Sequence, residues 1–180
     1  MFHSNTELLI DSWRRLVFAG QAPERSRLDP RTFARALPQT FIIGRTGNGA
    51  YPVRLAGELI RDLFGRDLRG ENLLDFWHPA SRLEMRTAME FARRSPAPIV
   101  ATAQARSGEG REFAVEVLFA PLRGVSGETD RFLGLLQPTQ PVQRLLGETV
   151  RTLVLQSIAG ADFEDAPRLR LAALDGRRIA

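Results

Sequence analysis

His78 and Tyr51 are the side chains in the body of this 180-residue sequence best suited to proton transfer, and nothing near either in sequence would orient it as a base. Carboxylates are more plentiful. Asp62, Asp67, Glu71 and Asp75 fall within "DLFGRDLRGENLLD", but their spacing matches neither an EF-hand loop nor a two-histidine-one-carboxylate set. Arginines stand between them, so they read as a solvated, salt-bridged surface, and no metal site is expected. Glu112 and Glu116 lie four apart on an expected strand. That puts them about 13 Å apart on one face, too far for an acid–base pair acting on one bond. With no cysteine in the chain, thiol nucleophiles, thiolate metal sites and disulfides are all excluded.

The elements that must position these residues fit one domain with appendages. The net charge of +4 comes from 25 basic residues, every one arginine, spread along the chain and mixed with 21 acids. They form no block, so nucleic acid is not the expected partner. No apolar run is long enough to cross a bilayer, and "MFHSNTELLIDSWRR" lacks a signal-peptide core, so the chain reads as cytoplasmic without membrane insertion.

Ser4 to Phe18 is predicted as an amphipathic helix, with Ser4 and Glu7 as a capping box and Leu9, Trp13, Leu16 and Val17 on one face. Asp29-Pro30 opens a helical turn around Phe33 and Leu37. Two β-rich runs, "TFIIGR" and "YPVRLA", flank a Gly-Asn-Gly turn, with Tyr51, Val53 and Leu55 expected on one face and Pro52 and Arg54 on the other. Gly57 then turns the chain into a short helix over Leu59, Ile60, Leu63 and Phe64, which Gly65 stops. A second short turn carries Leu68, Leu73, Leu74, Phe76 and Trp77. A longer helix runs from Pro79 to Ser95, with Met85, Ala88, Met89 and Ala92 inward and Pro96 beyond. Three strands follow, the first two with Ile99, Ala101, Ala103 and Ala105, and then Phe113, Val115, Val117 and Phe119, on one face. "RFLGLLQP" is the third. Past Pro138 only a β-like run around Leu153 to Leu155 stands out. The expected divisions are an N-terminal helix and linker (1–38), a core (39–140) and a partly ordered C-terminal extension (141–180).

The order β-β-α-α-α-β-β-β resembles the PAS domain. More specifically, the chain resembles the PAS_5 family of single-domain alphaproteobacterial proteins. The likeness rests on Trp13, "LDP" at 28–30, "LP" at 37–38, "VRLAGELIRDLFGRDLRG" at 53–70, "PL" at 121–122 and "RFLG" at 131–134. The resemblance implies an α+β PAS fold: a five-stranded antiparallel sheet with short helices and one longer helix across one face, preceded by the amphipathic helix. It also implies a non-catalytic sensory or protein-interaction module that signals through a partner protein. Some PAS domains hold haem through a histidine, but His78 beside Pro79 suits a helix N-cap better. Flavin chemistry through a cysteine adduct is excluded, and no cofactor is assigned. A small-molecule ligand in a PAS cup would meet Tyr51, Arg54, Phe64, Trp77, His78, Met85, Met89, Phe113 and Phe119. A homodimer would use Leu9, Trp13, Leu16 and Val17. The alternative from another class is a small enzyme or carrier on a cone-like α+β fold.

Overall fold

Alternating apolar residues build a six-stranded antiparallel sheet in the computed structural model, which describes residues 1–141, 147 and 149–160. The strands are β1 (Thr40–Gly44), β2 (Val53–Ala56), β3 (Ile99–Ser107), β4 (Glu112–Arg123), β5 (Thr129–Pro138) and β6 (Val150–Gly160), in the spatial order β2-β1-β5-β4-β3-β6. Ile99, Ala101, Ala103 and Ala105 of β3 pair with Phe119, Val117, Val115 and Phe113 of β4, so one face carries the apolar row expected of it. The expected five strands become six because Val150–Gly160 pairs along β3. Register irregularities at Thr102/Ala103 and Arg106/Ser107 break the alternation across that pair, and this blurs the signal of β6 in sequence. Residues 161–180 of the expected extension lie outside the described residues.

Helical segments pack on both faces of the sheet. Helices α2 (Glu58–Phe64) and α3 (Pro79–Arg94) and a 3-10 turn at Leu73–Phe76 pack on the inner face. Helix α1 (Ser4–Arg14) and the 3-10 segment Pro30–Gln39 cover the outer face of β4 and β5, around Leu118, Ala120, Leu122, Leu133 and Leu135. Leu9 and Trp13 are buried there, and the Trp13 indole Nε1 donates to the Pro121 carbonyl at 2.7 Å. The N-cap of α1 is His3, one residue before the expected Ser4. Its Nδ1 accepts from the Asn5 N–H at 3.1 Å, while Glu7 accepts from the Phe2 N–H at 3.2 Å. The cap shifts because the Glu116 carboxylate of β4 accepts the His3 N–H at 3.0 Å and the Thr6 hydroxyl at 2.6 Å, which fixes the start of the helix on the sheet.

Gly57 shows why β2 folds so abruptly into α2. Its N–H donates to Thr40 O at 2.8 Å, and a side chain there would overlap the Leu37 and Pro38 carbonyl oxygens. Gly65 closes the helix at φ 66°. The family-like residues therefore meet in pairs: Trp13 with Pro121, and Leu37-Pro38 with Gly57.

The edges of the sheet are closed by one stretch of chain. On β2, Val53 N donates to Glu71 O at 2.9 Å, Gly70 N to Val53 O at 2.8 Å and Leu73 N to Tyr51 O at 2.9 Å. On β6, His78 N donates to Leu153 O at 2.8 Å and Leu155 N to the Ser81 hydroxyl at 3.2 Å. Part of each edge, Val53 of β2 with Tyr51 just before it and Leu153 and Leu155 of β6, is thus engaged from within the chain.

Gly134, the glycine of "RFLG", pairs with Phe41 across β1 and β5, and a Cβ at Gly134 would overlap the Phe41 ring. Gly134→Ala is expected to lower the unfolding free energy by about 1–3 kcal/mol, an overpacking cost measurable by urea denaturation. A fall that Phe41→Leu partly relieves in the double variant identifies the ring as the cause.

Candidate functional site

The concave inner face is filled by rings. Tyr51, Phe132, Phe119 and Phe41 form a chain across the sheet, with successive centroids 6.1, 6.3 and 5.8 Å apart and the last two pairs close to edge-on. Phe64 and Phe76 meet at 5.0 Å opposite them. Between them lies a cavity of about 20 Å³ bounded by Phe41, Val53, Phe64, Phe76, Trp77 and Leu136 among others, all apolar. That is room for one water at most. The one polar atom out of keeping with these walls is the Trp77 indole Nε1, which is buried and has no acceptor among the described residues.

At the rim, where the β1–β2 hairpin meets α3, Glu90 collects three donors. The Tyr51 hydroxyl and Arg45 Nε each reach Glu90 Oε1 at 2.5 Å, and Arg93 Nη2 reaches Oε2 at 3.0 Å. Burial works against the Glu90 carboxylate, but the hydrogen bonds from Tyr51, Arg45 and Arg93 outweigh it and hold its pKa down to about 2. Burial, reinforced by the neighbouring carboxylate, pushes the Tyr51 phenol above its ordinary range. The pair therefore stays as phenol and carboxylate throughout the physiological range. It latches hairpin to helix and has no proton poised for transfer.

Of the residues expected in a cup, Phe64 and Trp77 line the remaining cavity, while Tyr51, Met85, Met89, Phe113 and Phe119 are buried in the same inner core. Two lie elsewhere. His78 is exposed and caps α3, its Nδ1 accepting from the Ala80 N–H at 3.4 Å, so the one histidine of the domain body points away from the cup. Arg54 is exposed on the outer face, because a register irregularity between Ile42 and Ile43 leaves it as the extra residue of β2. The same bulge turns Leu55 outward, contrary to the expected alternation; its side chain is 50% exposed. Sequence reasoning missed Glu90, Arg45, Phe41 and Phe132. The partners that define them mostly come from distant elements, Tyr51 and Arg45 for Glu90, Phe119 for Phe41 and Tyr51 for Phe132, and only Arg93, one turn along α3 from Glu90, is a helical neighbour. Leu9 and Trp13, expected to face a second copy, are buried on the chain's own sheet; the helix stops at Arg14, short of the expected Phe18, and Leu16 and Val17 beyond it are partly exposed.

A sheet in the order β2-β1-β5-β4-β3, roofed on its concave face by short helices and one longer helix, defines a PAS domain, a class of sensory signalling modules. The chain belongs to the PAS_5 family of PAS domains, whose model matches residues 1–137, from α1 through β5. No curated protein matches it. Similar solved structures include the dark state of the blue-light photoreceptor Aureochrome1 LOV, 16% identical over 70% of this chain and 92% of that one, with a TM-score of 0.49. Another is a Rhodobacter sphaeroides LOV protein, 14% identical over 65% and 72%, at 0.47. An RNA-binding light-oxygen-voltage receptor is 17% identical over 68% and 37%, at 0.45.

Glu90, with its pKa depressed, adds stability that is fully present above its unfolded value near 4.5 and is lost as pH falls toward about 2. Glu90→Gln is expected to be less stable at pH 7. It should also lose on the order of 2–3 kcal/mol less than the parent chain between pH 5 and pH 2, read from denaturation curves at each pH. Parallel pH profiles for the two proteins would show that the latch carries no such linkage.

Proposed function

We propose that this chain is a non-catalytic PAS module that acts through protein contacts, as a homodimer and with a signalling partner. The observation that supports this reading is the ring-filled cup, whose inner pocket has about 20 Å³ of apolar space, less than a metabolite-sized ligand needs in this arrangement. At the rim, Arg45 and Arg93 hold Tyr51 and Glu90 in place, which supports a structural role for that pair.

The second copy would meet the end of α1. Leu9 and Trp13 anchor the helix to its own sheet, and past its end at Arg14 the half-buried Leu16 and Val17, the latter resting on the outer-face core, lead to the 78%-exposed Phe18 as an apolar patch. Signal would then be a shift in how the helix sits on the sheet, driven by a partner with unequal affinity for the two arrangements.

One observation favours a second reading. The Trp77 indole N–H, buried without an acceptor, would be satisfied by a small ligand's carbonyl or hydroxyl if the cup opened to admit one.

Native mass spectrometry of protein purified from its own cells separates the two. The interaction module predicts a dimer with no added mass, converted to monomer by Val17→Glu. A discrete additional mass on each chain would replace it with the ligand reading, and an unchanged dimer in Val17→Glu would remove that patch from the interface.

A further inference from the structure

The outer sheet face is covered over β4 and β5 but open over β1 and β2, and there it forms a groove of about 380 Å³. The groove is strongly basic. Arg25 rises from the segment that follows α1, Arg54 from the β2 bulge and Arg131 from β5. Arg54 lies across Gly44, with its Nε only 3.2 Å from where a Gly44 side chain would begin, and Gly44 is the direct cross-strand neighbour of Arg131. The bare backbone at Gly44 thus lets guanidinium groups from β2 and β5 converge over β1.

Two further groups line the groove: Arg45, which is paired with Glu90, and the acid Asp130 beside Arg131, so the uncompensated charge is that of Arg25 and Arg54. Arg25 and Arg54 have no carboxylate partner among the described residues. Arg131 Nε is buried and makes no hydrogen bond; Asp130 stands 3.6 Å from it, near enough to attract but too far to accept the proton. Guanidinium forks match carboxylates in geometry, and a carboxylate arriving in the groove would meet the exposed side chains of Arg25 and Arg54. Ile42 and the half-exposed Leu55 run beside the arginines as an apolar strip, which a bare inorganic anion would leave uncovered.

We infer that this groove docks an extended segment of a partner protein carrying acidic side chains interleaved with apolar ones. The acids meet Arg25, Arg54 and Arg131, and the apolar residues lie on Ile42 and Leu55. The inference rests on reading the chain as an interaction module and names the chemistry of its partner. The bulge is what builds the surface: without the extra residue in β2, Arg54 and Leu55 could not both face outward.

The test uses the full chain and a fluorescein-labelled octapeptide of four glutamates and two leucines spaced by serines, followed by fluorescence anisotropy at low salt. Binding should weaken at least tenfold when the glutamates are replaced by glutamine, and as much in the R25Q/R54Q double variant, whose fold is checked by circular dichroism. Leu55→Ser should weaken it several-fold, and Arg86→Gln, an exposed arginine on α3, should leave it unchanged. Equal affinity in R25Q/R54Q and the parent chain would overturn the inference. So would displacement of the peptide by inorganic pyrophosphate together with indifference to Leu55→Ser, which would make the groove a small-anion site. A ligand found in the cup by native mass spectrometry would end the interaction-module reading without altering these titrations, so the two failures are distinct.

Discussion

The backbone hydrogen bonds that residues 70–78 make to both edges of the sheet are the constraint on which the rest of the domain depends. A six-stranded sheet has two open edges and a concave face that water could enter from either side. Here Gly70, Glu71 and Leu73 pair with β2, and His78 pairs with β6, so a single stretch spans the mouth and draws the edges toward it. The residues between, Leu73, Leu74, Phe76 and Trp77, have no way out and become the roof of the core. The aromatic chain from Tyr51 to Phe41 then packs against that roof, with the Glu90 latch fixing the hairpin to α3 at the rim.

The outer face is built around its own anchors. There Glu116, a buried carboxylate, receives the first turn of α1 and Trp13 bonds to Pro121, so the helix is held at both ends by groups of β4. A helix seated on polar anchors over an apolar floor can change its seating without unfolding the sheet beneath it, which suits a module that passes a signal by contact. The strip it leaves bare, over β1 and β2, carries Arg25 and Arg54.

Much of this fold is legible in local sequence because local physics dictates it. Strict alternation from Ile99 to Ala105 and from Phe113 to Phe119 names the inner face, Pro79 and Pro96 bracket α3, and Gly57 marks the sharp turn. What escapes is whatever depends on distant or irregular pairing. Strand β6 is obscured by two breaks in register, and a one-residue bulge sends Arg54 and Leu55 to the face opposite the one that alternation assigns to Leu55 and to a cup-lining role for Arg54. Glu90 looks like one more charge on a solvated helix until Tyr51 and Arg45 arrive from the hairpin, and Glu116 looks like strand decoration until His3 and Thr6 cap it from the far end of the chain. Phe64 and Trp77 were readable as cavity-lining because large apolar residues on short helices facing a sheet have few other places to go.

Amide hydrogen exchange at Val53, Leu73 and His78 tests the closed cup most directly, since each N–H donates one of the bonds that seal an edge. The account predicts protection comparable to that of Val117 in the central strand β4, opening only with the whole domain. Exchange of these three amides at the rate of turn residues such as Gly110, while Val117 stays protected, would show that the mouth opens independently and would contradict a sealed interior.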